Sequence, residues 1–218
     1  MSALLHLPSG LPTGLGWRDE TPAEPVPFGI PSLDAVIAGL PRGRISCLAG
    51  PSSSGRTTLL HRALAAQPED FKALVDASDS FDPNSAEQAG VTLQRLLWVK
   101  CGHRLEHALK SADLLLHAGG FGIIALDLCD IPQTHLDRVP ASYWYRFQRA
   151  VEKSSAVFLL MGEHAIAKTA ASVILNTCRI EIGLQHIAPF HRLHTIRFQA
   201  ASRKPHRNQP AIFSACLD

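Results

Sequence analysis

The chain has 218 residues, 46% of them hydrophobic and 18% charged, with a formal net charge of +2. That length suits one good-sized α/β domain and hardly two, and so mild a charge balance does not by itself mark a nucleic-acid binder. Its five cysteines, Cys47, Cys101, Cys129, Cys178 and Cys216, are scattered and form no C-x-x-C. That argues against a disulfide framework or a zinc site, and for a reducing, cytoplasmic setting. Met1 to Gly10 lacks a basic leader, and no stretch reaches ~18 uninterrupted apolar residues, so neither a signal peptide nor a membrane span is expected.

Residues 1–27 carry Pro8, Pro12, Gly14, Gly16, Pro22, Pro25 and Pro27 and keep neither helical nor strand period. They are expected to form a flexible lead-in, with Trp17 as a docking residue, ahead of a single domain over 28–218. A helix should start at Pro31, with Ser32 as its N-cap. Gly39 to Gly43 reads as a turn. Arg44 to Ala49 is a short apolar run suited to a buried strand, and it leads directly into Gly50.

Gly50-Pro51-Ser52-Ser53-Ser54-Gly55-Arg56-Thr57-Thr58 fits the phosphate-cradling pattern G-x-x-x-x-G-K-[ST] at every fixed position except the lysine, which is Arg56. In such a loop successive backbone N–H groups wrap phosphates at the positive end of the following helix. The hydroxyl of Thr57 is placed to ligate magnesium. Arginine keeps the lysine's charge but not its compact shape. Thr57 to Ala66 continues as a helix, so the strand–loop–helix context of the motif is met.

Further strands are expected at Lys72–Asp76, Leu96–Val99, Gly122–Asp127 and Ala156–Met161. Helices are expected at Ser85–Ala89, His103–Ala118 and Trp144–Lys153. Three alternating or apolar runs, Arg179–Ile182, Thr195–Phe198 and Ala211–Ala215, form a β-rich finish. Strands alternating with helices predict a mostly parallel, right-handed α/β sheet whose ligands lie beyond the carboxyl ends of the strands. Near those ends stand Asp76, Asp127 and Glu163. Asp127 closes an apolar strand as the natural second magnesium residue, the plainer reading being an aspartate that caps the following turn. Asp76 could polarise a water or cap the strand end. His186, His191 and His194 cluster without a carboxylate or cysteine at ligand spacing, so no zinc site is read there. Arg192, Arg197, Arg203, Lys204, His206 and Arg207 make a basic C-terminal region that could contact DNA phosphates or an acidic partner. A solvated hairpin loop is the plainer reading, because no aromatic interleaves with the charges between Ser202 and Asn208.

These residues resemble the RecA recombinase family. Phe28 to Asp34 is similar to the family's T-G-x-x-x-L-D entry, Gly50 to Thr58 to its G-P-E-S-S-G-K-T-T, and Val75 to Pro83 to its D-A-E-H-A-L-D-P. Ile123 to Asp127 resembles the Walker-B strand. The likeness covers about residues 28 to 200 and is specific between Leu40 and Pro83. It implies a RecA-like P-loop core, ATP and Mg²⁺ as ligands, and Asp82 as a further nucleotide contact. The departures from the family pattern share one direction. The water-activating glutamate falls on Ser78, leaving Asp76 and Asp79 as weak candidates for a base. The adenine-stacking aromatic falls on Ser85, and the γ-phosphate-sensing glutamine falls on Glu163. The DNA-binding loops look short, and the family's N-terminal helix and separate C-terminal domain have no clear counterpart.

A compact core with a degraded ATP site is similar to the ImuA type of RecA-like accessory protein. That resemblance implies an adaptor in DNA-damage tolerance, partnered by RecA and polymerase-like proteins. A DNA-dependent ATPase (a short recombinase or mediator) and a SulA-like division inhibitor are the alternatives.

Overall fold

The computed structural model describes residues 24–187, 190–204 and 210–216. Eight strands form one sheet: β1 (Arg44–Ala49), β2 (Lys72–Asp76), β3 (Leu96–Lys100), β4 (Ile123–Asp127), β5 (Val157–Gly162), β6 (Ala171–Ile187), β7 (Phe190–Lys204) and β8 (Ala211–Cys216). Their order is β3-β2-β4-β5-β1-β6-β7-β8. The pairings from β3 to β6 are parallel, and β7 runs antiparallel to both β6 and β8. The expected mostly parallel sheet with a β-rich end is therefore present.

The central strands are apolar throughout because both sheet faces are covered, yet each still divides its residues with period two. Phe158 and Leu160 of β5 join Ile124 and Leu126 of β4 in one core, against α4 (Leu105–Ala118) and α6 (Ala141–Glu152). Val157, Leu159 and Met161 turn the other way. They meet Leu59, Leu60 and Leu64 of α2 (Arg56–Ala65), with Leu33 of α1 (Pro31–Ile37) and Ala86 of α3 (Pro83–Gln88). Phe147 fixes α6 to the sheet through an edge-on contact with Phe158 of β5 at 5.5 Å, and Trp144, one turn back on α6, meets it edge-on at 6.0 Å.

Several expectations are corrected in detail. The N-cap of α1 is Ile30, not Ser32, and Pro31 takes the first helical position, where its fixed φ suits the helix. Asp34 reaches back instead, accepting the N–H groups of Phe28 and Ile30 at 2.8 and 3.0 Å. The Ser32 hydroxyl donates to the Ile212 carbonyl. The lead-in does not extend to residue 27, because Val26 is fully buried and bridges Leu40. Most of it, Trp17 included, lies outside the described residues. A short helix, α5 (Gln133–Leu136), precedes α6.

The largest difference is β6. It begins at Ala171 rather than Arg179, and its first half pairs with β1 inside the sheet. Its second half leaves β1 and continues with β7, which β8 flanks as far as Thr195, so that among the described residues only the far end is two-stranded; Ile182 and Leu184 of this half are exposed. Only residues 163–170 connect β5 to β6, which tightens the expected short loop further.

Candidate nucleotide-binding site

The parallel register aligns the carboxyl ends of the central strands. Asp76 lies opposite Asp127, Asp127 opposite Met161, and Ala49 opposite Gly162. Every expected site residue on these strands therefore collects at one edge of the sheet, where the P-loop begins. The Gly50 N–H is shared between the carbonyls of Gly162 and Glu163, at 3.3 and 3.1 Å. That bond places the exposed Glu163 beside the start of the loop.

Gly50 and Gly55 fix the loop by close approach. A Cβ on Gly50 would lie 2.4 Å from both the carbonyl oxygen and the hydroxyl of Thr177. Gly55 is the N-cap of α2 at φ 90°, and a Cβ there would meet the Phe198 ring at 2.8 Å. Phe198 and Phe213 stack beneath the loop with centroids 5.3 Å apart. The Ser54 and Thr177 hydroxyls are buried and bonded to each other at 2.7 Å, and Thr177 also donates to the Ala49 carbonyl at 3.3 Å. The backing of the P-loop therefore comes from the C-terminal strands, and sequence reasoning missed Thr177, Phe198 and Phe213 as parts of it.

The loop's outer side is open. Pro51, Ser52, Ser53 and Thr57 are exposed, and Thr58 is half-buried. Ser53 adopts φ 57°. Arg56 occupies the first helical position of α2, where the helix dipole is positive, and is only 9% exposed. Among the described residues its Nη1 has no hydrogen-bond partner. Its charge acts on Asp127, so the guanidinium and that carboxylate share one neighbourhood.

Burial pushes the Asp127 carboxyl above its ordinary pKa, and the nearby Asp76 adds to that rise. The Cys129 thiol and N–H, with Arg56, oppose it, and the Cys129 N–H donates to Asp127 at 2.9 Å. Burial also raises the Cys129 thiol, with Asp127 as the second cause.

Asp76 is fully buried, and its carboxylate takes four donors: Ser78 and Ser80 N–H on Oδ1, and Phe81 N–H and Trp98 Nε1–H on Oδ2. Of the two readings open for it, the strand-end cap is the one its bonds describe. Asp79 binds the N–H groups of Cys101 and Gly102 at 3.0 and 3.2 Å. Asp82 is the N-cap of α3, accepting from Asn84 and Ser85. Its carboxyl is held below the usual range, chiefly by the Ser85 hydroxyl. Asp82 also acts on His61, a buried α2 residue whose ring meets Phe81 edge-on at 5.8 Å.

The basic C-terminal region is partly engaged within the fold. Arg197 pairs with Glu181 at 2.6 Å, and Lys204 donates to the carbonyls of Thr169 and Ala171. Arg192 and Arg203 are exposed, whereas His206 and Arg207 lie outside the described residues. Among the described residues no His, Cys, Asp and Glu group could hold a metal on its own, and no helix is long and apolar enough to cross a membrane.

Comparison with known proteins agrees with this arrangement. Residues 12–203 match the family model of the RecA N-terminal domain. The chain is 40% identical over 177 residues to the Protein RecA of Leifsonia xyli subsp. xyli, covering 78% of this chain and 48% of the relative. It is 41% identical over 181 residues to that of Kineococcus radiotolerans, covering 80% of this chain and 51% of the relative. The chain thus spans about half the length of the curated relatives it matches. The crystal structure of the RadB recombinase shares the fold, with a TM-score of 0.66 at 16% identity, covering 86% of this chain and 94% of that one. With an open P-loop on a parallel sheet and a match over most of its length, this chain belongs to the RecA family.

Proposed function

We propose that the chain is a RecA-type accessory protein of DNA-damage tolerance, of the ImuA kind, which binds nucleotide phosphates at its P-loop and turns them over slowly or not at all. Arg56 is the observation that carries this reading. An arginine buried at the positive end of α2, with Nη1 unpartnered among the described residues, is a ready anion ligand. Ser52, Ser53 and Thr57 are exposed beside it. The residues present therefore fit a polyphosphate such as that of ATP. Thr57 and Asp127 would hold its Mg²⁺, which supplies charge neutralisation at the phosphates when bound.

Hydrolysis lacks a placed base. Ser78 is no base at neutral pH, the Asp76 lone pairs are taken, and Asp79 is bonded to the 101–102 turn. Glu163 adds negative charge where a γ-phosphate would need a donor. One missing transition-state contact costs about 3–4 kcal/mol, so these losses together suppress useful turnover.

Calorimetry with ATP·Mg²⁺, and phosphate release with and without single-stranded DNA, test the reading. Binding heat without DNA-stimulated release is expected, with tighter binding in Arg56→Lys. Clear DNA-stimulated turnover that disappears in Asp127→Ala would replace it with a DNA-dependent ATPase. The accessory role is tested by pull-down of RecA and polymerase-like proteins, and retention of neither would remove it.

A further inference from the structure

The sheet face opposite α2 carries a feature that the nucleotide site does not use. Helices α4 and α6 both run back from the carboxyl edge of the sheet and pack side by side over one core. Two concavities lie along the seam between them. One, of about 630 Å³, sits at the N-terminal ends of the two helices. The other, of about 280 Å³, sits at their C-terminal ends.

Their linings are predominantly cationic. Arg104 and Arg138 flank the first, and Arg146, Arg149 and Lys153 flank the second. Glu106 is the one acid among the lining residues of either. In a chain whose net charge is only +2, five fixed cations against one carboxylate is a local concentration, not an average surface. Arg104, Arg138, Arg149 and Lys153 are exposed and available to a ligand. Arg146 is held in place by Asp113 at 3.2 Å and by the Tyr143 ring at 4.7 Å.

The floor between the cations is apolar: Leu105, Leu109 and Val139 at one end, and Leu116 and Ala150 at the other. A cationic rim over an apolar floor complements a ligand that is acidic and apolar in alternation. Nucleic acid satisfies the rim, and Tyr143, His107, His135 and His117 offer rings to a base, but its sugar–phosphate chain has nothing to bury against leucine. A peptide carrying Glu or Asp between Leu or Ile satisfies both. With 14 residues, α4 is about 21 Å long, the span of roughly six or seven extended residues.

We propose that the α4–α6 seam is a docking groove for an acidic, leucine-rich segment of a partner protein. Exposed, predominantly cationic rims steer association and fix register, while the buried apolar contacts supply the holding energy.

Fluorescence anisotropy with a labelled peptide of about eight alternating Glu and Leu residues tests this. The wild-type protein is expected to bind it saturably, at micromolar concentration, and to ignore the Lys-Leu counterpart. The paired reversals Arg104→Glu with Arg138→Glu, and Arg149→Glu with Lys153→Glu, should each weaken binding at least tenfold. Amide chemical-shift mapping on the wild-type protein gives a readout independent of any variant, and the perturbed residues should fall within 104–118 and 135–154. Absence of peptide binding, shifts elsewhere, or reversals without effect would each overturn the proposal. Tighter binding of an oligo-dT of similar length, weakened by the same reversals, would overturn it in favour of nucleic acid.

Discussion

The Asp76 carboxylate accepts the Trp98 indole N–H at 3.2 Å, so β2 is joined to the edge strand β3 by a side chain as well as by its backbone ladder. The same carboxylate gathers three backbone N–H groups of the 78–81 turn. Asp76→Ala strands four donors in a buried setting and is expected to cost about 3 kcal/mol or more. Asp76→Asn should also destabilise, because its amide offers fewer acceptor sites and turns donors towards donors. Urea unfolding followed by tryptophan fluorescence checks both, and an unchanged midpoint would restore Asp76 as a free carboxylate.

Gly55→Ala places a Cβ at φ 90° and 2.8 Å from Phe198. A loss of about 2 kcal/mol is expected from strain and overlap together. Coupling it to Phe198→Leu should recover part of that loss, measured as a double-mutant cycle. Full additivity of the two changes would show that the loop and the aromatic pair do not meet.

Thr177→Val keeps the shape of the side chain and leaves the Ser54 hydroxyl buried without its partner. About 1–2 kcal/mol of stability should go with that bond, along with part of the affinity for ATP·Mg²⁺ as the loop loosens. Thermal unfolding and calorimetry on the same variant separate the two effects.

Burial holds the His61 imidazole below its ordinary pKa of 6.5, against the opposing attraction of Asp82. The folded protein therefore takes up fewer protons here than the unfolded chain as pH falls. His61 contributes its full stability above the unfolded value and loses it between 6.5 and the lowered folded value. The slope is at most about 1.4 kcal/mol per pH unit. Denaturant midpoints at about pH 7.5 and about pH 5.5 should fall less in His61→Leu than in the wild type. Equal falls would assign the acid sensitivity to other groups.

The strands β1, β2, β4 and β5 were legible because each is a short, largely apolar run with both faces covered, and the edge strand β3 because Leu96 to Val99 is apolar although its side chains are only half-covered. The P-loop was legible because its glycines stand where strand gives way to helix. The first half of β6 was hidden by chemistry of the same site. Ala171 to Cys178 contains Ser172, Asn176 and Thr177, residues that read as loop, yet Thr177 is polar because it binds Ser54 and the Ala49 carbonyl. Val173-Ile174-Leu175 was the available signal, too short to outweigh its neighbours. Ser32 was misread because a serine beside a helix start suggests a cap, while Asp34 and Pro31 had already fixed that end. The saturation of Asp76 could not be read from spacing at all, since its partners lie on a turn and on a neighbouring strand.

The position of β1 has a consequence for biosynthesis. Among the described strands it is the first to leave the ribosome, but its two neighbours in the sheet are β5, which starts at Val157, and β6, which starts at Ala171. Both of its hydrogen-bonding edges stay unpaired until β5 and β6 have been made, more than 100 residues later. Such long-range closure is slow and leaves an apolar edge open to foreign pairing in the meantime. A nascent chain stalled before residue 157 would carry the complete P-loop sequence on a strand with nothing beside it. Co-translational aggregation, or chaperone capture, should therefore peak in chains arrested between β4 and β5 and fall once β6 has emerged.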